Sequence, residues 1–138
     1  MSQIEVDKVI PQSGTNLQIG EAGDTINLTN ATVNLPTGVG GTSWQAVKTA
    51  NFTAVAGEGY FVNTTSGVIT ATLPSSATIG NEVSIIDYAG TADTNNITIG
   101  RNGHNIQGAA SDMTVSTERA AFTLVYVDST QGWLLKDK

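Results

Sequence analysis

Cysteine is absent from this 138-residue chain. That excludes disulfides, thiolate nucleophiles and zinc–thiolate centres. Charge is scarce as well: Asp, Glu, Lys and Arg make up 13% of the residues, about half the usual share of ~25%. Basic residues are fewer than acidic ones, 6 against 12, and the net charge is −6. Binding to nucleic acid draws on a basic patch that releases counterions, so no nucleic-acid partner is expected. No apolar run approaches the length of a membrane span, and no membrane partner is expected. The opening residues, Met1 to Asp7, lack the basic and apolar regions of a signal peptide, so synthesis in the cytoplasm is expected. Helical periodicity is missing too. The single candidate turn of helix is Ser43–Thr49, where Ser43 could cap the residues after it.

What replaces the charge is Thr, Ser, Asn and 15 Gly. With so many β-branched residues and so little charge, this is the mixture of a folded all-β protein with polar, uncharged faces. Residues 13–37 hold a degenerate repeat of three apolar–polar–apolar triplets: Leu17-Gln18-Ile19, Ile26-Asn27-Leu28 and Val33-Asn34-Leu35. Strands this short are not stable alone, and their six aliphatic side chains need a second layer. Either the segment folds back on the rest of the chain, or three copies wrap round one axis as a β-prism or β-helix strip, which is the favoured expectation. Residues 38–49 open on Gly38, Gly40 and Gly41 and read as a joint.

From residue 50 to 138 short apolar-alternating runs follow one another between turn signals. They fall at Phe52–Val55, Tyr60–Asn63, Val68–Leu73, Glu82–Tyr88, Ile97–Gly100, Ile106–Gln107, Met113–Ser116, Phe122–Val127 and Trp133–Lys136. This spacing predicts a β-sandwich head of jelly-roll type. Asn102-Gly103 is the strongest hairpin signal, because both residues tolerate the positive φ of a type I′ turn. The runs Glu82–Tyr88 and Phe122–Val127 are apolar on both faces, which places them centrally in the sandwich or against another subunit.

A search for chemistry finds little that converges. His104, the only histidine, is expected at a hairpin tip, without nearby carboxylates for a metal site and without a nucleophile elbow for a triad. Glycosidase-like carboxylate pairs are conceivable in Asp87 with Asp128 and in Glu58 with Glu82. The loop Gly90–Asn96 is rich in side-chain oxygens but lacks the alternating acids and closing glutamate of a calcium loop. No catalytic residue, metal or cofactor is assigned.

Several stretches nevertheless resemble a known group. Val6-Asp7-Lys8-Val9-Ile10-Pro11-Gln12-Ser13-Gly14-Thr15, the run from Leu17 to Ile26, the run from Phe52 to Gly67, Asp87-Tyr88-Ala89-Gly90-Thr91, Arg101-Asn102-Gly103 and Leu124-Val125-Tyr126-Val127-Asp128 together resemble trimeric virion structural proteins of tailed phages of aquatic bacteria. The resemblance implies a non-enzymatic homotrimer without cofactor, located in the virion. It leaves two placements open. A tail fibre or spike would bind a host surface receptor or glycan, but a fibre carries a long shaft, and the 25 strip residues at ~3.3 Å each make only a stub. A capsid decoration (cement) protein needs only a foot, a stub and a head, and the short chain fits it better. On that reading Leu17, Ile19, Ile26, Leu28, Val33 and Leu35 form the trimer interface. Residues 1–12 form an arm whose Ile4, Val6, Val9 and Ile10 dock by strand addition on the major capsid protein, and three arms act multivalently.

Overall fold

The computed structural model describes residues 22, 23, 25 and 41–137. The chain divides into two units, Met1–Asn34 and Leu35–Lys138, and all strands below belong to the second. The described residues are all-β, without helix, in two mixed sheets. In chain order the strands are β1 (Ser43–Trp44), β2 (Phe52–Thr53), β3 (Glu58–Val62), β4 (Ile69–Thr72), β5 (Glu82–Asp87), β6 (Ile97–Gly100), β7 (Met113–Val115), β8 (Ala121–Asp128) and β9 (Gly132–Leu135). One sheet has the order β1-β3-β5-β8-β9 and the other β2-β4-β6-β7.

The connectivity departs from a jelly roll, whose neighbouring strands are antiparallel. Here β1–β3, β3–β5, β2–β4 and β4–β6 are all parallel. From β1 to β6 the chain alternates between the two sheets, so each strand pairs with the one laid down a full circuit earlier. The result is a short wound coil. Only the last part folds back: β7 pairs antiparallel with β6, β8 with β5, and β9 with β8. Turn signals such as Gly57, Gly67 and Gly80, all at positive φ, mark corners between sheets. Sequence patterning does not distinguish such a corner from a hairpin tip, because both need the same backbone freedom.

Alternation decides what each sheet buries. Tyr60 and Val62 of β3, Val83 and Ile85 of β5, Leu124 and Tyr126 of β8 and Trp133 of β9 point inward from one sheet. Ile69 and Ala71 of β4, Ile97 and Ile99 of β6 and Val115 of β7 point inward from the other. They form one shared core, so the arrangement is β-sandwich-like. Ile85 is fully buried at its centre. Ile85→Ala is expected to cost about 2–5 kcal/mol, read as a drop in the thermal midpoint of the full chain.

The candidate helical turn at Ser43–Thr49 does not form. Ser43 N–H donates to the Gly57 carbonyl (2.9 Å), Gln45 N–H to Gly59 (2.9 Å) and Lys48 N–H to Phe61 (2.8 Å). Three backbone bonds to β3 and the residue before it outweigh one marginal turn, whose nucleation is unfavourable in any case. The Asn102-Gly103 turn does form, with both residues at positive φ and His104 N–H on the Arg101 carbonyl at 3.1 Å. It lies at the start of the long connection between the antiparallel pair β6 and β7, however, and does not link two strands as a two-residue turn. The tight two-residue turn is instead Gln107-Gly108, both at positive φ, where Ile106 and Ala109 exchange two 3.0 Å backbone bonds.

Candidate functional site

The expected trimer interface (Leu17, Ile19, Ile26, Leu28, Val33, Leu35) and docking arm (Ile4, Val6, Val9, Ile10) lie outside the described residues. The other candidates lie within them and can be placed one by one.

Asp87 closes β5 and is 1% exposed. Its Oδ1 accepts N–H bonds from Gly90 (3.1 Å) and Thr91 (3.3 Å), and its Oδ2 from Ala92 (3.2 Å) and Arg119 (3.0 Å). Burial by itself pushes this carboxyl upward, but the four amides outweigh it and hold its pKa below the ordinary carboxylate value. The same contacts fold the oxygen-rich loop 90–96. Thr64 and Thr91 hydroxyls meet at 2.9 Å, Asn95 Nδ2 donates to the Thr64 carbonyl, and Asn96 Nδ2 to the Ala92 carbonyl. The loop's polar groups thus serve the fold. Among the described residues no three of His, Asp and Glu converge.

Asp128 sits at the far end of the same sheet. Its Oδ1 caps the β8–β9 turn, accepting from Thr130 N–H (2.8 Å) and Gln131 N–H (2.7 Å). Asp87 N–H donates to the carbonyl of Ala120, before β8, whereas Asp128 ends that strand. The two carboxylates are therefore separated by the length of β8, too far for the spacing that glycoside cleavage needs. His104 does not stand free at a tip. Its ring packs edge-on against Tyr126 (4.9 Å between centroids), which in turn meets Trp133 (5.5 Å), and its Nε2 lies 3.0 Å from the Ser75 carbonyl.

Glu58 and Glu82 do come to one place. Both line a cleft of about 450 Å³ at the end of the five-stranded sheet, with Asn81 and Lys136. Each already has a partner. The Tyr60 hydroxyl donates to Glu58, and Lys136 Nζ donates to Glu82 at 3.0 Å. Burial, with help from the Glu58 bond, pushes the Tyr60 phenol up to about 12, so it stays a donor over the working pH range.

The cleft continues onto the outer face of the sheet, where a second depression of about 270 Å³ shares Thr42 and Ser84 with it. Register places Trp44, Gly59, Ser84 and Thr123 in one row across β1, β3, β5 and β8. Phe61, Ile86 and Ala121 form the next. The Trp44 indole lies on Gly59: a Cβ there would come within 2.6 Å of its Cε3. It also stacks on Phe61, with centroids 4.9 Å apart and planes 27° apart, yet the residue is 46% exposed. Ser84 and Thr123 hydroxyls pair at 2.9 Å on the floor beside it. Sequence reading missed this feature. A tryptophan just after a glycine-rich stretch was visible, but its seat on Gly59 depends on a parallel pairing that no local pattern announces. No protein-family model matches the chain, and no curated protein matches it.

Proposed function

We propose that the chain is a non-enzymatic structural protein of a phage virion, a homotrimeric capsid decoration (cement) protein that clamps neighbouring capsid subunits at local three-fold positions. The observation that supports the non-enzymatic part of this reading is the use made of the carboxylates. Asp87 and Asp128 hold turns, Glu58 holds Tyr60, and Glu82 holds Lys136. Acids spent on backbone amides and neighbouring side chains support a scaffold role rather than acid–base catalysis. The low charge density, the acid excess and the resemblance to trimeric virion proteins point the same way.

In this role residues 13–37 join three chains and residues 1–12 reach to the major capsid protein, while the acidic heads repel unrelated copies. Light scattering on the purified full chain is expected to give about three times its 14.3 kDa mass. Ile26→Asp with Leu28→Asp is expected to give a monomer, because six charges would enter one apolar seam. A stable wild-type monomer would overturn the clamp. Imaging of particles carrying a labelled copy tests the placement: label on the capsid shell supports decoration, and label confined to the tail overturns it. A second reading, a short tail fibre or spike that binds a host receptor or glycan, is favoured by the open trough beside Trp44.

A further inference from the structure

We infer that the outer face of the five-stranded sheet is a binding trough for a neutral carbohydrate chain, with Trp44 as its stacking platform. The inference deepens the second reading above and takes its biological setting from it, but it concerns the five-stranded sheet alone and stands for either position on a particle. Its chemistry follows from what lines the trough. A sugar ring presents weakly positive C–H groups on its face and hydroxyls round its edge. An indole offers a negative π-face to the first, and short polar side chains answer the second.

Trp44 is exposed but not loose, since Gly59 and Phe61 fix its ring from two sides. A fixed aromatic side chain loses little freedom on binding, which distinguishes a platform from an exposed apolar residue. The Thr123 hydroxyl, held at 2.9 Å by the buried Ser84 hydroxyl, retains accepting capacity for a ligand hydroxyl. Asn81, Glu82 and Lys136 in the adjoining cleft supply an amide and a neutralised ion pair. The larger cleft falls within the usual range of small-ligand sites, about 300–1,000 Å³. Charge selects among carbohydrates. Glu58, Glu82 and Asp137 face one Lys136 along the two depressions, so uronate or sialate chains are repelled and uncharged chains are accepted. The next row of the face, Phe61, Ile86 and Ala121, is apolar and extends the trough's floor along the strand direction.

The test uses the full chain and a set of defined probes: cellohexaose, laminarihexaose, chitohexaose and a mannan fragment, with a galacturonate oligomer as the anionic control. The chain has 2 Trp, one exposed (Trp44) and one buried (Trp133), so quencher-accessible emission reports Trp44. At least one neutral oligosaccharide is expected to shift that emission saturably and shield it from iodide. Trp44→Ala is expected to weaken binding at least about tenfold, as is Gly59→Val, which keeps the indole but lifts it from its seat; tenfold corresponds to ~1.4 kcal/mol. Circular dichroism and the Trp133 emission confirm that both variants remain folded. Three results would each overturn the inference: no neutral probe binds, a probe binds Trp44→Ala as well as wild type, or the galacturonate oligomer binds best. Trp44 already shielded in the free protein and exposed on dilution would also overturn it, by making this face a contact between copies. A trimer that ignores every sugar sinks the trough alone; a monomer that binds one sinks the trimer alone.

Discussion

Gly132→Ala is expected to be the most damaging single substitution in the head, with a loss of about 4 kcal/mol or more. Gly132 opens β9 at φ +70°, a conformation that costs an L-residue about 1–2 kcal/mol by itself. The larger part is steric. A Cβ at this position would lie 2.5 Å from the Asn105 carbonyl carbon, closer still to its oxygen and 2.9 Å from its Cα. All three are backbone atoms, and the same carbonyl accepts the Trp133 N–H at 2.9 Å. Relief therefore means prising residue 105 away from β9 and with it the cover over Trp133, which is fully buried. Gly80→Ala separates the two effects. Gly80 also has φ near +86° but nothing within 4 Å of its would-be Cβ, so it is expected to show the conformational part alone. Urea unfolding of both variants checks this. Equal losses at the two positions would mean that the close approach at Gly132 does not matter.

Asp87→Ala is the second large effect, expected to cost about 3–5 kcal/mol. Four backbone amides would lose their acceptor at once, at roughly 1–3 kcal/mol for each one left buried and unpaired, less whatever an entering water recovers. The loop 90–96 and the turn at Arg119 should loosen together, because both are tied to this one carboxylate. Asp87→Asn keeps the volume and one accepting oxygen, and a smaller loss is expected. The pH dependence gives an independent check. The folded carboxyl titrates below its unfolded value of about 3.9. Its stabilisation is therefore complete above about pH 5 and declines as pH falls through the folded value. Wild type should lose stability to acid over this range, and Asp87→Asn should lack that component. Parallel acid profiles for the two proteins would remove Asp87 from the account.

The sequence made the strands legible and the pairing illegible. Ile97–Gly100 was located to the residue, and Glu82–Asp87, Met113–Val115 and Ala121–Asp128 within one residue at each end, because period-two alternation reports directly on a half-buried ribbon. The two-sided runs at β5 and β8 were expected to be central strands or to press against another subunit. They pair with each other in the interior of the five-stranded sheet, and their outer residues Ile86 and Val125 remain partly covered. Alternation says which side of a strand is apolar but not which strand lies beside it, and here each partner arrives one circuit later. Asp87 shows the same limit. Its type suggested an acid for chemistry, but its role depends on Arg119, 32 residues away. Gly59 is a glycine for close approach, and Gly132 for close approach in addition to its positive φ; the reasons of approach exist only once Trp44 and Asn105 are in place.

The wound arrangement has a consequence for how the molecule comes into being. β5 lies at the middle of its sheet, but one of its two neighbours, β8, is laid down some forty residues later, and Trp133 of β9 joins the interior later still. Contacts of such wide sequence separation delay closure of the chain. On the ribosome the early circuits must therefore wait, half-covered, until β8 and β9 have emerged. A chain cut short before Trp133 lacks the ring that Tyr126 packs against, and that part of its interior stays open to water.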